Sequence, residues 1–164
     1  MSVTIEFLRG LAVEGVVWDD QTLEWVFSFG NTVSLRVAVP WRIRDGKAIL
    51  LGNGDHKQLF GLPEPVNGEK EAQSLLASPV INTVVVSPTS DFHIEFGNGR
   101  SLEIFNASAG YEGWQLNNGG HSMVAQGGGQ LVEWSRDAQH GAADRRATRI
   151  GFGFSQRNSR AASG

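Results

Sequence analysis

The chain has no cysteine, which excludes a disulfide framework, a thiolate nucleophile and a cysteine metal site. It has no apolar run near the roughly 20 residues of a membrane span. Met1 to Phe7 offer neither a basic n-region nor a continuous apolar h-region, so no secretory signal is read there and the expectation is a soluble cytoplasmic protein. Positive charge is scarce outside the C-terminal end. Residues 135–164 hold six Arg and two Asp, which leaves −7 on residues 1–134 out of a net charge of −3. An acidic body repels phosphate backbones, so nucleic acid is not expected as a partner of that body; the acidity suits a basic protein partner, or simply keeps the chain in solution. The catalytic vocabulary is thin as well. There is no Gly-x-Ser-x-Gly elbow. Gly127-Gly128-Gly129 is followed by no Lys and no helical pattern, which excludes a Walker-type phosphate cradle.

What is present is a duplication. Phe29-Gly30-Asn31-Thr32-Val33-Ser34-Leu35 reappears as Phe96-Gly97-Asn98-Gly99-Arg100-Ser101-Leu102, identical in five of seven positions. Trp25 and Phe27 match Phe92 and Ile94, while Val13 and Leu8 match Val80 and Leu75. Apolar residues alternate at period two before each turn (Leu23, Trp25, Phe27, Phe29; Phe92, Ile94, Phe96) and after it (Val33, Leu35, Val37, Val39; Leu102, Ile104), which is the pattern of half-buried strands. Gly30 and the Gly97-Asn98-Gly99 run supply the positive φ that a tight hairpin demands. A further strand precedes each hairpin, at 13–18 and 80–86. The expected fold is mainly β: two antiparallel three-stranded meanders, repeat units about 8–39 and 75–106, related by a pseudo-twofold and packed as a sandwich or as curved sheets. Residues 1–134 form that domain. Residues 135–164, rich in Arg, Ala, Ser and Gly, read as a disordered tail.

The segment 40–79 reads as a linker between copies, with a fourth strand at Ala48–Leu51, a loop at Gly52–His56, breakers at Pro63, Pro65 and Gly68, and one helix over Glu69–Ala77. Acidic residues at the start of that helix suit its dipole, and Pro79 stops it. Short strands follow the second meander at Tyr111–Leu116, Met123–Ala125 and Gln130–Trp134.

Candidate functional residues are few. Asp91, His93 and Glu95 align on one strand face, and such a row serves acid–base work or a divalent metal. The same row reads more simply as a solvated outer face, and no metal site is assigned. Asp55 and His56 sit in a Gly-rich loop, where an Asp-stabilised turn is the simpler reading. Tyr111, Glu112 and Trp114 combine apolar area with polar handles. Glu112 is positioned in sequence to pair with Arg42 or Arg44 near Trp41, as a polar lock between the halves. Trp41, Arg42, Asp55, His56, Tyr111, Glu112 and Trp114 are therefore the candidate binding residues. No catalytic residue and no cofactor are assigned.

Trp41-Arg42-Ile43-Arg44-Asp45-Gly46, Gly54-Asp55-His56 with Phe60-Gly61-Leu62-Pro63, Asp91-x-x-Ile94-x-Phe96-x-x-Gly99-x-x-Leu102, and Tyr111-Glu112-x-Trp114 together resemble a family of small uncharacterised bacterial proteins, domains of unknown function common in actinobacteria. The resemblance covers about residues 8–134, and the Tyr-Glu-x-Trp signature is its most specific element. It implies no enzyme activity. Similar β-meander proteins occur among the immunity proteins of bacterial toxin systems, which by analogy implies a non-enzymatic inhibitor that meets a basic toxin. The second expectation is a small-molecule-binding module with a cleft between the repeats, lined by Trp41, Tyr111 and Trp114.

Overall fold

In the computed structural model, residues 5–30 and 32–135 are described, together with the backbone of Thr148 and Arg149. The rest of the tail read at 135–164 lies outside the described residues. The chain forms β1 (Val13–Asp19), β2 (Glu24–Phe29), β3 (Val33–Val37), β4 (Trp41–Asp45), β5 (Ala48–Gly52), α1 (Gly68–Leu76), β6 (Ile81–Val86), β7 (Phe92–Phe96), β8 (Arg100–Ile104), β9 (Trp114–Asn118), β10 (His121–Gln126), β11 (Gln130–Ser135) and β12 (Thr148–Arg149). All pairings are antiparallel. One sheet runs β1-β2-β3-β9-β10-β11-β12 and the other β5-β4-β8-β7-β6. The fold is a β sandwich, as the alternation predicts. The matched aromatic rows face inward in both halves: Trp25, Phe27 and Phe29 from one sheet, Phe92, Ile94 and Phe96 from the other, all buried in one shared core.

The duplication is longer than its sequence identity. β4 pairs with β8, and β9 pairs with β3. Each meander's continuation thus crosses to the opposite sheet and lies against the other meander's third strand. Trp41 pairs with Ile104 as Trp114 pairs with Val37. Gly46 and Gly119, both at positive φ, turn the two exchanged hairpins, and both β5 and β10 run into a 3-10 turn, at Asn53–Asp55 and Gly127–Gly129. The repeat is therefore five strands, β1–β5 and β6–β10, and the stretch 40–52 belongs to it. The linker reading of 40–79 is corrected to about 53–67.

The alignment of the first strands is also corrected. Val13 pairs with Phe29, whereas the partner of Phe96 is Ile81. Val13 corresponds to Ile81 and Leu8 to Leu76, one residue later than the identities Val13/Val80 and Leu8/Leu75 suggest. Leu8 and Leu76 are both fully buried. The cause is the first turn, which is one residue longer between Trp18 and Trp25 than between Val86 and Phe92. Both first strands carry a bulge at the same place, Glu14 and Asn82 being the extra residues. Leu23 and Ser90, last in their turns, both take positive φ. Ala12 bridges Val80, so under the corrected alignment a residue pairs with its own counterpart at the pseudo-twofold.

Candidate functional site

The sequence candidates do not converge. Trp41 and Trp114 are each about 2% exposed and fill the core at equivalent positions. Trp41 stands edge-on to Trp25 and Phe27. Trp114 packs against Phe92 and donates its indole N–H to the Ser90 carbonyl at 2.7 Å. Tyr111, by contrast, is 82% exposed, and its backbone is held by the Ser108 hydroxyl. The cleft expected between the repeats from Trp41, Tyr111 and Trp114 is therefore corrected: a well-packed interior occupies that place.

Glu112 is exposed and does not lock the halves. The carboxylate between Arg42 and Arg44 is that of Glu103, at 2.5 Å from Arg42 Nε and 2.8 Å from Arg44 Nε, because β4 lies beside β8. Partial burial pushes the Glu103 pKa up, but hydrogen bonds from Arg44 and Arg42 outweigh it and hold the carboxyl below its ordinary range. The aligned row of Asp91, His93 and Glu95 is also broken. Asp91 lies outside β7 and turns back to accept from Ser87, Thr89 and the Asn106 amide. Among the described residues no three His, Asp or Glu side chains cluster to hold a metal. His121 meets the Ser135 hydroxyl at 3.0 Å, but Glu133 stands 4.0 Å from its other nitrogen, too far for a hydrogen bond that would orient a base.

Asp55 and His56 do belong to a built feature. Asp55 accepts from the Gly52 amide at 2.8 Å, and Asn53 accepts from the Trp41 amide at 3.1 Å, so β5 passes into the following loop without loss of order. The His56 ring stands edge-on to Trp25, at 5.3 Å between centroids, and 6.4 Å from Trp18. Its Nδ1 accepts the Gly68 amide at 3.0 Å, taking up one of the amides that the start of α1 leaves without a helical partner. Asn67 caps the same helix by accepting from the Lys70 amide. Gly68 has no room for a side chain: a Cβ would sit 2.9 Å from the Trp25 ring and 3.1 Å from His56.

Between these anchors the chain projects. Lys57 and Val66 are joined by Lys57 N–H to Val66 O at 2.9 Å, and Val66 N–H donates to Gln58 O at 2.8 Å. The tip closes by Leu62 N–H to Leu59 O at 2.7 Å. Its central residues, Phe60 and Gly61, both have positive φ. Glycine adopts that backbone freely, but phenylalanine does so at a cost. Leu59, Phe60 and Leu62 are 54%, 68% and 53% exposed. Beside this finger runs an open groove of about 490 Å³, whose walls include Trp18, Asp20, His56, Glu64 and Glu69. Asp20 accepts from the Trp18 indole at 2.7 Å and faces Lys57 at 3.4 Å.

Sequence reasoning singled out Asp55 and His56 at the base of this feature and did not single out its apolar tip. The signal was available: Leu59-Phe60-Gly61-Leu62 is a compact apolar run inside a stretch of breakers, where no strand or helix would bury it. Among the described residues no helix is long and apolar enough to cross a membrane. No protein-family model, curated protein or solved structure matches this chain.

Proposed function

We propose that this chain is a non-enzymatic binding protein of the cytoplasm whose partner is a basic protein. Its specific form is an immunity-type inhibitor of a basic toxin, related to the small uncharacterised bacterial proteins whose motifs it resembles. The contact surface is the finger at 57–66 with its adjoining groove. The observation that carries the reading is the finger itself. Three large apolar side chains stand in water on one short turn, one of them in a strained backbone conformation, while the base of that turn is clamped to the tryptophan cluster.

Burying each such side chain in a partner is worth about 1.5–3 kcal/mol. Clamping at His56 and Asn67 lowers the ordering cost on binding, because the loop is already held. Asp20, Glu64 and Glu69 line the groove with one cation, Lys57, which faces Asp20; the remaining negative charge favours a cationic surface there over an acidic one. The immunity-type reading rests on this complementarity and on the −7 charge of residues 1–134.

A photo-crosslinking residue at position 60 of the full chain tests this in the native cytoplasm, with the same residue at position 93 on the far sheet face as the control. The expected result is a single adduct with a basic protein from position 60 and none from position 93. Absence of any adduct at 60, or equal labelling from 93, overturns the reading. The second reading is a small-molecule module, and the groove beside Trp18 favours it over the filled space between the repeats. Metabolite screening by thermal shift separates the two, since a ligand raises the melting temperature by mass action and a missing protein partner does not.

A further inference from the structure

The two halves treat the same strand edge differently. β1 and β6 are equivalent strands, and each is the last strand of its sheet. The edge of β1 is covered by α1. Glu69 accepts the Trp18 amide at 2.9 Å, and the Gln73 side-chain amide donates to the Glu14 carbonyl at 3.3 Å. These bonds mark which backbone groups of β1 face outward: those of Glu14, Val16 and Trp18, by the alternation of a strand.

In β6 the corresponding residues are Asn82, Val84 and Val86. The first-half counterpart of α1 is only a 3-10 turn at Glu6–Leu8. Residues 10 and 11 reach only the start of the edge, where Gly10 N–H donates to the Ile81 carbonyl and Ile81 N–H to the Leu11 carbonyl, both at 2.8 Å. From Asn82 onward no described residue takes up the outward backbone groups of β6.

This edge has a bulge at its start, at Asn82, but Thr83 to Val86 beyond it pair regularly with β7 and carry no further protection. Ile81-Asn82-Thr83-Val84-Val85-Val86 has no charged residue and no proline. It is dominated by β-branched residues, and Val85 beside it is 51% exposed. The other edge strand of the same sheet, β5, is interrupted in mid-strand by its bulge at Leu50, which leaves no comparable regular run.

We infer that β6 is a pairing edge and that its occupant is β6 of a second copy of this chain. Antiparallel self-pairing centred on Val84 places Val84 opposite its own counterpart, so its outward amide and carbonyl are satisfied reciprocally. Thr83 then faces Val85 of the other copy, within the regular run beyond the bulge. Because the strand is neutral, no like charges meet across the axis, the usual obstacle to self-pairing in a body this acidic. Two five-stranded sheets become one continuous sheet of ten.

Sedimentation equilibrium of the full chain over a concentration series into the high micromolar range tests this. The wild type is expected to show a reversible monomer–dimer equilibrium. Val85→Lys adds a cation to each edge and is expected to raise the dimer dissociation constant about tenfold or more, with an unchanged circular dichroism spectrum. Ile49→Lys, on the sheet's other edge, is expected to leave the dimer intact. A wild type that stays monomeric at every concentration overturns the inference. So does a dimer that Val85→Lys leaves untouched, or one that Ile49→Lys dissolves. The outcome is independent of the finger at 57–66, which lies on another part of the chain.

Discussion

Arg36 and Glu103 occupy the same position in the two halves, at the centre of the outer face of β3 and β8. In one sheet a cation sits between two acids, as Arg36 meets Glu24 at 2.8 Å and Asp19 at 3.0 Å. In the other sheet an anion sits between two cations, as Glu103 meets Arg42 and Arg44. The central charge is inverted between the halves, and its counter-charges come from different strands: β1 and β2 around Arg36, β4 around Glu103. The same backbone position thus holds either sign once neighbouring strands supply the opposite one. The same contrast runs through the core. Trp41 and Trp114 are equivalent and equally buried, yet among the described residues Trp114 has a partner for its indole N–H and the buried indole N–H of Trp41 has none.

The largest expected break in this symmetry comes from the element that only the first half elaborates. Gly68→Ala drives a methyl group into Trp25 and His56, and it should destabilise the chain by about 2–3 kcal/mol, the cost of overpacking a dense site. Urea denaturation would read this as a lower midpoint at an unchanged slope. It should also loosen the base of the finger, visible as faster amide exchange at Lys57 and Val66.

Glu103→Gln comes next. It leaves two part-buried guanidinium groups on adjacent outward positions of β4 without their counter-ion, and about 1–2 kcal/mol should be lost at neutral pH after discounting for the exposure of both arginines. The pH dependence has a definite sign. Glu103 has a depressed pKa in the folded state, so its contribution is complete above the ordinary carboxylate range and disappears as pH falls through the folded value. The wild type should therefore lose stability more steeply on acidification than Glu103→Gln, which has no such carboxylate to protonate. Parallel acid-unfolding curves would refute the role given to Glu103.

The smallest effect sharpens the core comparison. Trp114→Phe strands the Ser90 carbonyl, while Trp41→Phe removes an N–H that already lacks a partner. Thermal or chemical unfolding should find Trp114→Phe worse by about 1 kcal/mol, the net worth of one buried hydrogen bond. Equal losses would show that the Ser90 contact contributes nothing.

Much of the architecture was readable from residues. Phe29-Gly30 and Phe96-Gly97 gave the repeated hairpin, the period-two rows gave the buried faces, and Glu69 to Ala77 gave the helix, which spans Gly68–Leu76. The length of the repeat was not read, because β4 and β9 share little beyond Trp41/Trp114, Ile43/Leu116 and the turn glycines Gly46/Gly119. The exchange of β4 and β9 between sheets is decided by packing between layers, which alternation within a strand does not encode. Identity itself misled at Val13 and Val80, where an extra residue in the first turn moves the true counterpart to Ile81. The site followed the same rule. Asp55 and His56 were visible as loop residues, but Trp18 and Glu69 join them only through contacts far apart in sequence. Trp41 and Trp114 looked like binding residues because aromatic side chains serve cores and interfaces equally well.

The bridge between Ala12 and Val80 has a consequence for how such a molecule holds together. A pairing between matched positions is what two identical short polypeptides would form on meeting, each lending a hairpin to the other. Joined in one covalent thread, that meeting no longer depends on dilution. Its entropic cost becomes that of closing a ring, which grows only with the logarithm of the tether. The stretch after β5 is then free to lengthen, and in this protein the lengthened tether is the part that carries the finger.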